Sequence, residues 1–304
     1  MADLDDTPPL SASRSAGELA SREPAPLDES ASRARSLLAA QPVVEGRAEL
    51  PEALDQEDVP PRRAAEAGAQ FWSLRADGDD VVVGTLHRID AIRTLVAGCP
   101  EDLRLVHSTA EMADARNCGR VAALLGPVSW DALGGSLATL RAYQALGVRV
   151  VNVTRFDGFA REAVREMNRL GLLVDLSGAE PDTVRQTLSV TKAPAVLTRA
   201  DPDALPDDTL RLLGEYSAVC MVPVAVDPAV TADALDRVHA LAGPLGVGLS
   251  GAADPAAGYA PLFAELLRRG WDECDLAGLA HGNATRALRE TEFHARAVRL
   301  GRAP

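Results

Sequence analysis

From Leu140 to Ser177 the chain reads LRAYQALGVRVVNVTRFDGFAREAVREMNRLGLLVDLS. Two runs rich in apolar residues, Val148–Thr154 and Leu172–Leu176, flank an amphipathic stretch, FAREAVREMNRLG, that closes on a glycine. A strand with one wet face alternates apolar and polar residues, whereas a nearly continuous apolar run suits a parallel strand covered on both faces. The glycine is the usual helix stop, because the residue after the last turn takes a left-handed conformation that costs other residues more. This segment therefore reads as strand, helix and parallel strand.

The same alternation extends in both directions. Strand-like runs lie at Val43–Gly46, Ala67–Trp72, Val121–Gly126, Ala195–Thr198, Val219–Pro223 and Val247–Ser250. Amphipathic stretches such as GSLATLRAYQALG, DDTLRLLGEYS and TADALDRVHALAG separate them, and the acidic opening of the second suits a helix N-terminus. Eight strands alternating with helices over roughly 260 residues is the pattern of an α/β chain closed into a (β/α)8 TIM barrel. A doubly wound open sheet is the runner-up, but no glycine-rich phosphate loop follows the first strand. In a barrel the active site is built at the C-terminal ends of the strands, so those ends carry the functional question.

Composition narrows the classes. The chain has 304 residues, 47% of them hydrophobic, and a formal charge of −13. That balance argues against a nucleic-acid partner, since phosphate binding needs a concentrated basic face. Residues 1–31 are rich in Pro, Ser, Ala and acids without apolar period, which predicts a disordered tail ahead of a barrel domain over 32–304. The start lacks the charged and apolar segments of a secretory signal, and no apolar run approaches the ~20 residues that span a bilayer. A cytoplasmic protein with no membrane partner is expected. Cys99, Cys118, Cys220 and Cys274 are far apart in the chain, which suits reduced thiols better than a disulfide frame or a zinc knot.

Several stretches resemble one family. LLAAQPVVEGRAELPEAL, GAQFWS, TLHRIDAI, GRVAALLG, LRAYQALGVRVVNVT, VREMNRLGLLVDLS, LPDDTLRLL and LFAELLRRGWDECDLAGLAHGN, taken together, look like the membrane dipeptidase (renal dipeptidase) family of zinc peptidases. The resemblance runs in order from about Arg33 to Arg289. It implies a (β/α)8 barrel and two zinc ions that activate a bridging water against a dipeptide's amide carbon, chemistry that needs His, Asp or Glu ligands.

Carried over position by position, the resemblance places unusual residues at the ligand positions. After the first strand, EGRAELP sets Arg47 where the family has a zinc-binding His and Glu49 where it has an Asp. After the third, Val128 stands at the bridging Glu. After the fifth, DLSG places Gly178 at a metal-binding His, and after the sixth TRA places Arg199 at another. Arg155 takes the place of a substrate-holding His, and Asp203 lies nearest the position of a substrate-clasping arginine. Ser250 and Ala252 occupy two acidic positions after the eighth strand, unless Asp254 has slipped into one of them. Of the five ligand positions only Glu49 keeps a donor for a metal, and a dinuclear site cannot be built from that. The expected cofactor is none, with zinc as the alternative, and no catalytic residue is assigned.

Arg47, Arg155 and Arg199 have two readings. They converge as an anion pocket with Glu49, Ser177 and Ser250, each guanidinium able to grip a carboxylate or phosphate. Or they fill the emptied cavity and pair with Glu45, Glu49 and Asp175 as a structural network. The five histidines, His87, His107, His239, His281 and His294, fall outside the predicted mouth and read as surface or packing residues. Phe71 and Trp72 read as core. Ser177 has no evident His partner, which argues against a nucleophilic triad.

The function expected is a dipeptidase-family homologue with a degenerate zinc site, a pseudoenzyme kept as a partner subunit or as a binding module for an anionic small molecule. A homodimer, or a heterodimer with an active paralogue, is the expected assembly. The alternative is a metal-dependent dipeptidase with an altered metal site.

Overall fold

The computed structural model describes residues 29–49, 66–76, 80–252 and 258–301. The expected disordered tail falls outside these residues up to position 28. Its predicted end at residue 31 is corrected, because Glu29–Ala40 forms helix α1. An acidic residue in the first turn and two buried positions, Ala34 and Leu38, support that helix, too narrow an apolar stripe to stand out among Ser, Arg and Ala.

The order continues with β1 (Val43–Ala48), β2 (Ala67–Trp72), α2 (Val81–Gly98), β3 (Leu103–Leu105), α3 (Thr109–Asn117), β4 (Val121–Leu125) and α4 (Leu137–Ala145). Then come β5 (Val150–Asn152), α5 (Gly158–Leu170), β6 (Leu173–Asp175), α6 (Pro181–Val190), β7 (Ala195–Leu197), α7 (Asp207–Glu215) and β8 (Val219–Val224). The chain closes with α8 (Pro228–Ala242), β9 (Val247–Ala252), α9 (Ala260–Arg268), α10 (Glu273–Ala277) and α11 (Asn283–Arg299). Helix starts are capped as their sequences suggest: Asp80, Ser108, Ser136 and Asp157 each accept from a backbone N–H in the turn that follows. Gly171 ends α5 at φ 76°.

Every strand pairing is parallel, in the order β3-β4-β2-β1-β9-β8-β7-β6-β5. Bridges Leu125–Val148 and Val128–Val151 join β4 to β5 and close the ring. The result is the predicted eight-stranded barrel. The ninth strand, β3, takes the lower part of the β4 edge; its Leu-Arg-Leu sequence puts a charge in mid-strand and breaks the continuous apolar run that marks the others.

Alternate strand residues fill the barrel interior, among them Val44, Phe71, Leu124, Val150, Leu173, Val196 and Met221. Ala284, Ala287 and Leu288 of α11 join that cluster. A second, larger core that includes Trp72 lies between barrel and helices. Both predicted core aromatics are therefore packing residues. Among the described residues no helix is long and apolar enough to cross a membrane.

One glycine is dictated by this packing. A Cβ on Gly46 would collide with the carbonyl oxygen of Thr198 and come within 2.8 Å of Met221 Sδ and 3.0 Å of Met221 Cβ. Backbone cannot yield as a flexible side chain can, so Gly46→Ala should destabilise the barrel by about 2 kcal/mol. Urea denaturation checks this, and an unchanged midpoint would mean that β1 shifts freely.

Candidate ligand site at the barrel mouth

A cavity of about 910 Å³ opens at the C-terminal ends of the strands. Arg47 comes to its wall from β1, Asn152 from β5, Asp175, Ser177 and Gly178 from β6 and its exit, and Arg199 from the end of β7. Continuous parallel strands make this possible, because each ends in a short loop that turns its last polar residues toward the axis.

The floor is organised around Asp175. Its Oδ1 accepts the Ser177 hydroxyl at 2.6 Å, the Thr198 amide at 2.8 Å and the Ser177 amide at 3.3 Å. Its Oδ2 accepts the Asn152 side-chain amide at 2.9 Å, and that amide also donates to the Ser177 carbonyl at 3.0 Å. Ser177 Oγ in turn accepts the Arg199 backbone amide at 3.0 Å. The ends of β5, β6 and β7 are thus tied through one carboxyl that is almost wholly buried. Burial pushes the Asp175 pKa up, against the pull of its hydrogen bonds. With its proton committed to Asp175 and no histidine on the cavity wall among the described residues, Ser177 is not set up as a nucleophile.

The arginines part company. Arg47 Nε lies 2.7 Å from Glu49 Oε1, its side chain only 16% exposed. Arg47 also donates to Ser73 Oγ at 3.5 Å. Arg199 is exposed on the wall, and among the described residues its guanidinium has no hydrogen-bond or ion-pair partner. Arg155 does not line the cavity; it pairs with Asp131 at 2.8 Å, both more than half exposed. The structural-network reading holds for Arg47 and Glu49 but not for the other two acids. Asp175 is held by neutral donors, and Glu45 takes the Tyr259 hydroxyl and the Gln70 amide, each at 2.6 Å, behind the strand. Burial raises the Glu45 pKa as well.

The remaining candidates are dispersed. Ser250 is buried, with no partner for its Oγ among the described residues, and it does not line the cavity. Asp203 does line it, whereas Asp254 lies outside the described residues. The wall also carries Arg75, which sequence reasoning missed. Its only signal was position, three residues beyond the end of the second strand.

A dinuclear zinc centre does not fit the described residues at the positions that the resemblance assigns to its ligands. Arg47 and Arg199 bring fixed positive charge and no lone pair, Val128 is hydrocarbon and fully buried, and Gly178 has no side chain. Among the described residues no group of three or more His, Cys, Asp and Glu side chains is disposed to hold a metal ion. The histidines serve elsewhere: His107 sits 3.3 Å from Glu111, and His239 lies 2.9 Å from Asp275 against the Trp271 ring.

Comparison with known proteins places the barrel. A family model described as membrane dipeptidase (peptidase family M19) matches residues 31–160 and 153–301. Dipeptidase 3 of Mus musculus is 31% identical over 290 residues, which cover 78% of this chain and 58% of the mouse protein. Dipeptidase aclJ of Aspergillus oryzae is 30% identical, over 80% of this chain and 72% of its own length. The chain thus spans little more than half of the mouse relative. Among solved structures, the probable dipeptidase PvdM from Pseudomonas aeruginosa superposes with a TM-score of 0.76 at 17% identity, covering 88% of this chain and 99% of that one. A metallo peptidase from Rhodobacter sphaeroides, liganded with a phosphinate mimic of L-Ala-D-Ala, gives 0.74 at 16% identity, over 83% and 99% of the two chains.

Proposed function

The chain belongs to the membrane dipeptidase family, and from that premise we propose that it is a non-catalytic member whose barrel mouth binds an anionic small molecule. The observation that carries this reading is the presence of Arg199, unpaired among the described residues, and Arg47 on the wall of one large cavity, at positions where the resemblance calls for zinc-binding histidines. Guanidiniums attract a carboxylate or phosphate and repel a dication. The buried Asp175 network gives such a ligand a rigid floor.

Family membership favours a second reading, a metal-dependent dipeptidase with an altered metal site. Two measurements separate them. Elemental analysis after zinc incubation and removal of free ion should find no retained zinc, and dipeptide hydrolysis should be undetectable. Inorganic phosphate and succinate should raise the melting temperature of the native chain, and Arg47→Ala with Arg199→Ala should remove that rise. Retained zinc with turnover would sink the proposal, and an anion response unchanged in the double variant would sink the pocket. A partner subunit role predicts instead a stable complex with an active paralogue and no anion response.

A further inference from the structure

A second cationic concavity lies away from the mouth. Arg161, Arg165 and Arg169 recur every four residues along α5 and share one face of it. Across a groove of about 440 Å³ they meet Lys192, the chain's one lysine, and His294 of α11. Asn168 sets the distance: its buried side chain takes the Lys192 amide at 2.5 Å and donates to Thr191 Oγ1 at 3.2 Å, pinning the segment after α6 against α5.

Ordinary structural roles account for only part of this cluster. Cations near a helix C-terminus complement its dipole, which suits Arg169 and Lys192. Arg169 also binds Glu166 at 2.6 and 2.7 Å, and that carboxylate, shared with Arg141 at 2.5 Å, is held down at about 2 chiefly by Arg169. Arg161, by contrast, stands in the first turn of α5, where a cation opposes the dipole, with its guanidinium carbon 5.7 Å from the Phe156 ring centre. Arg165 sits between two like charges four residues away, an arrangement unfavourable in an isolated helix. Among the described residues neither Arg165 nor Lys192 has a carboxylate partner. In a chain of 44 acidic and 31 basic residues, that concentration runs against the average.

We infer that this groove is a binding site for a polyphosphate group, either free or carried by a nucleotide. Planar guanidiniums and a flexible ammonium, facing one another over a concavity of ligand size, are the donor set that phosphate oxygens take. The site is independent of the proposal for the mouth. Isothermal titration of the full chain with tripolyphosphate and with ATP tests it. Arg165→Ala should weaken tripolyphosphate binding at least tenfold, and Arg165→Ala with Lys192→Ala should abolish it, while Arg165→Lys retains most of it. All these side chains are exposed, so folding should be unaffected, which circular dichroism verifies. Tighter binding of ATP than of tripolyphosphate would indicate a nucleotide, and equal binding the free polyanion. The inference is overturned if neither ligand binds, or if binding survives in the groove double variant and is lost in the Arg47→Ala, Arg199→Ala variant.

Discussion

Replacing Asp175 by alanine is expected to lower the unfolding free energy by about 4 kcal/mol, measured by urea denaturation. The loss comes from what remains. The Thr198 and Ser177 amides, the Ser177 hydroxyl and the Asn152 amide all donate to this carboxyl, in a place too buried for water to replace it freely. Each orphaned donor costs on the order of 1–3 kcal/mol, partly offset where Asn152 keeps its bond to the Ser177 carbonyl. Asp175→Asn should cost less, because one oxygen still accepts, although an amide now faces the Asn152 amide. It should also change the pH profile. Burial raises the folded-state pKa, so the native chain holds this proton more tightly than the unfolded chain. Stability from Asp175 is then complete below its unfolded value of about 3.9 and declines as pH rises through the folded value. Asp175→Asn removes that decline but leaves the part due to Glu45, which burial raises in the same direction. A decline of the native size in the Asn variant would show that Asp175 ionises as easily folded as unfolded.

The barrel was legible because its eight strands are apolar runs between helical patterns, and pattern survives without knowledge of neighbours. β3 was not, since Arg104 interrupts its apolar run, whereas the equally short β5, β6 and β7 lie within longer apolar stretches. Strand ends were legible as places but not as partnerships. Proximity in sequence offers Arg47 both Glu45 and Glu49, and the structure selects Glu49 because β1 buries Glu45 against Tyr259 and Gln70. Asp175 looked like a partner for arginine, yet adjacent strand ends supply backbone and amide donors that leave no room for one. The sequence places Arg155 at the same mouth as Arg47, but the loop after β5 engages it with Asp131, a residue of the cavity wall, and leaves Arg155 itself off that wall. The groove beside α5 needed tertiary knowledge too, although the spacing of its three arginines was visible all along.

The largest change in behaviour is expected from reversing the substitutions at the mouth. A variant carrying Arg47→His, Val128→Glu, Gly178→His and Arg199→His, with Glu49 kept, should retain zinc after free ion is removed, in contrast to the result expected for the native chain. Each change has its own obstacle. Gly178 sits at φ 70°, a conformation that costs a side chain about 1–2 kcal/mol, but no atom lies within 4 Å of the Cβ it would gain. Val128 is fully buried, so a glutamate there is strongly destabilising until something positive meets it. Arg47→His releases Glu49 from its ion pair, and Arg199→His removes a guanidinium that would repel the ion. The single variants should therefore be neutral or destabilised and take up no zinc, whereas the fourfold variant should be unstable alone and rise in melting temperature when zinc is added. That dependence is what binding to the folded state alone produces. The four changes act on one site, so their effects should fall far from additive. Failure of the fourfold variant to take up zinc, with its fold intact by circular dichroism, would mean that Ser250 and the reshaped strand ends have moved the mouth beyond rescue by ligand chemistry.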